Sequence, residues 1–275
     1  MSYYVRWYIG ERSRWWAKQE TRRSIVRHAV VRSGAEPILL NIEERIAQLT
    51  FNRPEIGNAV SPLVIAELDA ALGKLEVWCD ASRRAAALVV TGAGDKAFVS
   101  GADLRYLESI SSRGEMALFS RSMQSALARL EDLPVPVIAA LEGPALGGGT
   151  EVAWACDVRV MAAPAFFSFK YARVGVIPGW GGCKRLVSLV GSARALLLTA
   201  TASEVSSTEA VRLGLAEEVV PAGQAVAVAR TWAEQMASLA PLSVRELKRL
   251  LRNAAAAARD ELEEEETEAF VRLWT

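Results

Sequence analysis

Two short runs, Ile38–Asn41 and Ile46–Phe51, are rich in β-forming residues and flank a charged turn, a pattern that predicts a β-hairpin. Ser61 followed by Pro62 then signals a helix start. The hydroxyl can accept an unmet N–H, and proline at the first helical position has no N–H to leave unmet. Val64, Leu68, Leu72 and Leu75 recur at helical spacing and supply one apolar face. Three further runs, "AALVVTG" (86–92), "PVIAALEG" (136–143) and "DVRVMAA" (157–163), have the length and branching of buried strands. Helical patterns fall between them over Met116–Leu133 and after Gly147.

Strands alternating with helices predict an α/β core with parallel strands over 36–205. From about Ser206 the pattern is mostly helical, which predicts a helical C-terminal region over 206–275. Residues 1–35 follow neither period. They interleave aromatics with eight Lys or Arg against Glu11 and Glu20. A basic-aromatic arm for RNA or a membrane surface, a targeting peptide, or a loosely ordered extension without chemistry all fit, and the last is the plainest. The stretch "DELEEEETE" (260–268) reads as a solvated helix face.

Composition changes this picture little. Of 275 residues, 51% are hydrophobic, and 32 basic residues balance 32 acidic ones, so no whole-chain field points to nucleic acid or membrane. Three dispersed cysteines (Cys79, Cys156, Cys183) and the single His28 argue against a structural metal or a disulfide framework. No apolar run reaches the roughly 18 residues of a membrane span, and no signal-peptide pattern opens the chain. A cytoplasmic location is the default expectation.

The chemistry concentrates in "ALGGGTEVA" (145–153). A strand ending near Leu141 and a helix opening around Gly147 would leave backbone N–H groups without internal partners. Glycine lets a ligand approach them closely. Glu151, three residues beyond Gly148, would share that helical face. The same glycines would also permit close helix–strand packing, with Glu151 as an ordinary first-turn acid. A second stretch, "VVTGAGDKAFVSGADLRYL" (89–107), again leads from a strand through glycines to a helix entry. There Ala102 would offer an N–H and Asp103 a cap. Two such N–H groups aimed at one carbonyl oxygen suit the enolate of an acyl thioester.

These stretches resemble the crotonase superfamily, the enoyl-CoA hydratase/isomerase family. The matching pieces occur in order: "FNRPEIGNAVS" (51–61), "TGAGDKAFVSGADL" (91–104), "PVIAALEGPALGGGTEVAWACDVRV" (136–160), "VGVIPGWGGCKRLVSLVG" (174–191) and "EAVRLGLAEEVVP" (209–221). The resemblance covers roughly 38–270. It implies a spiral of ββα units with a helical trimerisation region, assembled as a homotrimer or a dimer of trimers. It implies an acyl-CoA thioester as substrate, with no cofactor beyond the coenzyme A that the substrate carries. Ala102 and Gly148 resemble the oxyanion-hole residues, and Glu151 resembles the first of two catalytic glutamates. Ala102, Asp103, Leu104 and Arg105 would line the coenzyme A thioester, and Ala59 would lie in the loop that usually contacts the adenine and pantetheine portions. Arg105 stands where a basic residue near its phosphates is often found, and it also reads as a solvated helix residue.

The chain departs from the family pattern at several places. The position of the second glutamate holds Tyr171, with Lys170 and Arg173 beside it and no carboxylate nearby. A water positioned by two carboxylates would therefore be incomplete. Tyr171 could hold that water by its hydroxyl or line the pocket, and Pro178 would line it too. In "PGWGG" Trp180 replaces a small residue and would narrow the acyl pocket, with Phe167 and Phe169 adding apolar wall; it also reads as packing. Its "GWGG" is similar to ethylmalonyl-CoA decarboxylase-like members. Glu55 stands where hydratases often have Lys. Relatives usually continue past "VRLWT" through a further short helix over the coenzyme A site. Three readings remain open: an enoyl-CoA hydratase/isomerase-type enzyme, a malonyl-type acyl-CoA decarboxylase, and a non-catalytic binding protein of the same fold.

Overall fold

The computed structural model describes residues 36–81, 84–256 and 271. The N-terminal extension and the acidic run 260–268 lie outside the described residues.

The hairpin forms as β1 (Ile38–Glu43) and β2 (Ile46–Phe51), paired antiparallel from Ile38 opposite Phe51 to Glu43 opposite Ile46. Helix α1 (Pro62–Ala81) follows, with the Ser61 carbonyl accepting the Ile65 N–H at 3.1 Å. Strands β3 (Ala87–Gly92), β4 (Val137–Leu141) and β6 (Val158–Ala162) then add parallel to β2. Between them run α2 (Leu104–Ser109) and α3 (Arg113–Asp132).

The strand period divides the sheet's side chains between two cores. Leu88, Val90, Val137, Ala139, Leu141 and Met161 join a core with Leu68, Leu72 and Leu75 of α1 and Met123 and Leu127 of α3. Their neighbours Ala87, Val89, Ile138, Ala140 and Val160 enter a second core against α8 (Ala225–Ser238). Burial on both faces is why these strands read as continuous apolar runs. Helix α8 presents Ala225, Ala229 and Ala233, four residues apart, and such small side chains let it lie close to the sheet.

Beyond residue 206 the described residues are mostly helical, with one short strand that the pattern does not show. Strand β9 (Glu218–Val220) returns to pair parallel with β6, and the six-stranded sheet has the order β1-β2-β3-β4-β6-β9. A three-residue strand is too short for a period-2 pattern to register. A three-stranded sheet was also not evident from the pattern. Its strands are β5 (Ala145–Leu146), β7 (Phe166–Ser168) and β8 (Glu204–Ser206), in the order β5-β7-β8. The remaining helices are α4 (Gly148–Trp154), α5 (Gly182–Val190), α6 (Ser192–Ala200), α7 (Ser207–Leu213) and α9 (Pro241–Ala256). Lys248 fixes α9 to the α/β core, with its ammonium 2.7 Å from Asp157 and 2.9 Å from the Val135 carbonyl.

Candidate active site

Each glycine of the triplet answers a different constraint. Gly147 has φ 49°, a backbone conformation that side chains rarely adopt. A Cβ on Gly148 would fall 2.3 Å from a ring carbon of Trp180. One on Gly149 would fall 1.7 Å from the Val99 carbonyl oxygen. The triplet thus lets α4 begin at Gly148, pressed between an indole ring and the loop that follows β3.

That loop is held from below by Asn58, which is buried with φ 59°. Its side-chain amide donates to the carbonyls of Ala93, Ala97 and Phe98 at 3.0, 2.8 and 3.1 Å, and its oxygen accepts the Arg53 N–H at 2.9 Å. Val60 bridges to Ala102, so Ala59 and Ala102 sit on neighbouring backbone segments. Arg53 spans the same two segments, reaching the Ala59 carbonyl at 2.7 Å and the Asp103 carboxylate at 3.1 Å. Asp103 caps α2 as expected, its other oxygen accepting the Arg105 N–H at 3.1 Å. Both of its oxygens are therefore engaged.

The two glycine-rich loops touch. A Cβ on Gly101 would lie 3.2 Å from the Gly148 nitrogen. Among the described residues, the N–H groups of Ala102 and Gly148 donate to no protein acceptor. Leu104 and Arg105 lie just beyond on the exposed side of α2.

Glu151 is 1% exposed, and its carboxylate faces the turn 179–182. Oε2 accepts the N–H groups of Trp180 at 2.7 Å and Gly182 at 2.8 Å, while Oε1 accepts that of Gly179 at 3.3 Å. Gly182 makes this approach possible, since a Cβ there would be 2.7 Å from the carboxylate. Burial pushes the Glu151 carboxyl up to about 7, against the lowering pull of the backbone N–H groups and the Arg185 charge. Oε1, with its single long hydrogen bond, keeps acceptor capacity to spare.

The turn is braced from outside. Ser120 and Gln124 of α3 both donate to the Gly179 carbonyl, Gln124 at 3.2 Å. The buried Arg185 places Nη1 2.5 Å from the Trp180 carbonyl and grips Glu131 with Nε and Nη2 at 2.9 and 3.0 Å. Pro178 is buried at the start of this turn. Arg185, Glu131, Ser120, Gln124, Asn58 and Arg53 were not singled out from the sequence. Arg185 follows the glycines of "GGCKR" closely enough to have been noticed. Its partner Glu131 lies 54 residues away, with no local signal.

Tyr171 takes a position different from a water-holding one. Its hydroxyl donates to the Gly147 carbonyl at 2.7 Å and lies 2.8 Å from the Thr150 hydroxyl, which donates to that same carbonyl at 2.8 Å. The ring is buried, and its polar end props the glycine turn. Trp180 is 3% exposed, with its indole edge-on to Phe119 at 6.2 Å between centroids. Phe167 and Phe169 pack instead against Trp154, at 6.0 and 5.4 Å between centroids. Among the described residues there is no group of three or more His, Cys, Asp or Glu side chains that could hold a metal ion. Among the same residues no helix is long and apolar enough to cross a membrane.

Comparison with known proteins bears on this arrangement. The sequence profile described as enoyl-CoA hydratase/isomerase matches residues 41–274. The chain is 35% identical over 233 residues to a short-chain-enoyl-CoA hydratase of Clostridium acetobutylicum, covering 85% of this chain and 87% of that protein. It is also 35% identical over 202 residues to an ethylmalonyl-CoA decarboxylase of Xenopus laevis, covering 73% of this chain and 66% of that protein. The crystal structure of an enoyl-CoA hydratase from Bacillus anthracis superposes with a TM-score of 0.76 at 31% identity, over 87% of this chain and 90% of that one.

Proposed function

The chain belongs to the enoyl-CoA hydratase/isomerase family, and from that premise we propose that it carries out proton-transfer chemistry on an acyl-CoA thioester through one carboxylate, Glu151. In this reading the free N–H groups of Ala102 and Gly148 receive the thioester oxygen as it turns into an enolate oxygen. Such donors act most strongly where water is excluded and where no rearrangement is needed during reaction. Glu151 takes a proton from the α or γ carbon and returns one at the other end of the allyl system, or takes one from a water adding to the β carbon and delivers it to the α carbon of the enolate. The observation that carries the reading is the pairing of a buried carboxyl poised at about 7 with an unbonded amide three residues earlier in the same helix.

A second reading has its own support. Tyr171 offers no carboxylate, and its hydroxyl is committed to Gly147 and Thr150. Position 171 thus does not supply the second carboxylate that hydration by a carboxylate pair would use. Loss of CO2 from a malonyl-type thioester needs no activated water. The C–C bond breaks, its electrons enter the enolate held by Ala102 and Gly148, and protonated Glu151 delivers a proton to the α carbon. The Xenopus laevis relative carries the name of such a decarboxylase.

Incubating the purified protein with crotonyl-CoA, a β,γ-enoyl-CoA and ethylmalonyl-CoA, with product masses as the readout, separates these readings. Mass gain of one water or double-bond migration supports the first, and loss of CO2 without crotonyl-CoA turnover supports the second. Failure to bind any acyl-CoA would leave a non-catalytic member of the fold. The same reading carries a homotrimer or a dimer of trimers, for which the exposed leucines Leu242, Leu247, Leu250 and Leu251 of α9 offer contact surface. The free thiols of Cys79 and Cys156 suit a reducing, cytoplasmic setting.

A further inference from the structure

A cavity of about 600 Å3 opens between α1, α2 and α3. Ile65, Tyr106, Leu118 and Phe119 give it apolar surface, and Asp69 and Glu115 give it polar surface. It lies close to the candidate site along the chain. Pro62, also in its wall, follows Val60, which is bridged to Ala102. Yet the way from Gly148 to this space is filled. The six-membered ring of Trp180 occupies the position where a Gly148 Cβ would be. Behind it stands Phe119, edge-on at 6.2 Å, and Tyr106 leans on Phe119 at 5.1 Å. Trp180 and Phe119 are both buried, so neither ring swings aside without emptying packed space.

We propose that Trp180 and Phe119 form a wall two rings thick that ends the acyl site directly beyond Gly148, restricting the protein to short acyl groups and closing the cavity behind the wall to the acyl chain. The proposal rests on the reading of Ala102, Gly148 and Glu151 as an acyl-CoA thioester site. A long chain cannot pass the rings and must turn back toward solvent, where its methylenes stay hydrated. With the wall removed, the chain gains a cavity lined partly by apolar side chains. Each methylene newly buried is then worth about fourfold in affinity.

The test is calorimetric titration with butyryl-CoA and octanoyl-CoA, both saturated and so inert to hydration and isomerisation. The wild-type protein is expected to bind butyryl-CoA at least as tightly as octanoyl-CoA. Trp180→Ala, which empties an indole's volume beside Gly148, and Phe119→Ala, which gives the Trp180 ring room to swing back, should each shift the preference toward octanoyl-CoA by tenfold or more. Phe119→Leu, which keeps an apolar side chain, should shift it in the same direction by less. Thermal unfolding establishes that each variant is folded. Should Trp180→Ala fail to fold, the wild-type ratio and the Phe119 variants decide. Wild-type protein that binds octanoyl-CoA tenfold more tightly than butyryl-CoA overturns the wall, as do folded variants with an unchanged ratio. Binding of neither compound overturns the thioester reading itself, and the wall with it.

Discussion

The Trp180 N–H donates to Glu151 Oε2 at 2.7 Å, while the indole of the same residue lies against Gly148, three residues before Glu151. One residue therefore fixes the carboxylate through its backbone and packs against the neighbouring amide through its ring. On the proposed reading of the site, proton transfer and acyl fit would be coupled through the turn 179–182.

The first prediction concerns pH. The Glu151 carboxyl is raised to about 7 chiefly by burial. If it acts as a base in the free enzyme, kcat/KM rises with pH and levels off above a midpoint near that value. If it acts as the acid that protonates a decarboxylation enolate, kcat/KM falls above the same midpoint. A rate profile measured from about pH 5 to pH 9 distinguishes the two. A flat profile in the wild-type enzyme would remove Glu151 from the chemistry.

The same group sets a pH dependence of stability. Between the ordinary carboxyl value of 4.5 and about 7, the folded chain holds a proton that the unfolded chain has released. Stability contributed by this group is thus present below the lower value and falls as pH rises through the window. Glu151→Gln should abolish that slope. It should also cost about 1–3 kcal/mol, because its amide N–H2 would face the Gly179 N–H where Oε1 now accepts. Thermal unfolding of both proteins across this range is the measurement. A variant with an unchanged slope would mean that another group is responsible.

The glycines give a third prediction. Gly149→Ala drives a methyl group into the Val99 carbonyl, which is backbone and already accepts the Leu146 N–H at 3.1 Å. For Gly148→Ala the nearest atoms are those of the Trp180 ring, a side chain rather than backbone. Gly149→Ala should therefore be the more destabilising, by about 1–3 kcal/mol or more, since overpacking against rigid backbone has no cheap relaxation. Pairing Gly148→Ala with Trp180→Ala should recover stability relative to the sum of the two single changes. Denaturant midpoints check both statements.

The sequence revealed some of these features and concealed others for identifiable reasons. The start of α1 at Ser61–Pro62, the Asp103 cap and the buried strands β3, β4 and β6 depend on local chemistry, and each was legible. The roles of Gly148 and Gly149 depend on Trp180 and Val99, which lie some 30 to 50 residues away in the chain. No local pattern distinguishes such glycines from those of an ordinary turn. Tyr171 was read as a water holder or a pocket wall because its alignment with a glutamate position says nothing about direction. The actual direction follows from Thr150 and the Gly147 carbonyl, which together give its hydroxyl a better-matched site than open space would.

That placement carries a fourth prediction. Tyr171→Phe removes one of several donors to the Gly147 carbonyl, and the Thr150 hydroxyl and N–H remain at 2.8 and 2.9 Å. The cost should be about 0.5–1.5 kcal/mol. Turnover should fall by no more than a few fold, since no step passes through the phenol. A loss of a hundredfold or more in kcat with unchanged KM would instead assign the hydroxyl a part in the chemistry.

The last prediction separates position from charge at Glu151. Arg185 supports the carboxylate in two ways. Its Nη1 holds the Trp180 carbonyl, and so the turn whose N–H groups face Glu151, while its charge lowers the Glu151 carboxyl against the rise caused by burial. Arg185→Met removes both and leaves Glu131 without its two-pronged partner. Breaking a buried pair costs about 3–5 kcal/mol, with the lower end apt because the Glu131 side chain is 25% exposed. A fall in melting temperature of roughly 5–10 °C is expected. The rate midpoint should also move above its wild-type value, because the burial penalty is no longer opposed by the guanidinium. Arg185→Lys keeps a positive charge but cannot reproduce the planar fork. It should lose much of the stability while leaving the midpoint nearer to wild type. Equal midpoints in all three proteins would confine Arg185 to bracing the turn. A shift in Arg185→Met that Arg185→Lys largely restores would show the charge acting on Glu151 across the Trp180 turn.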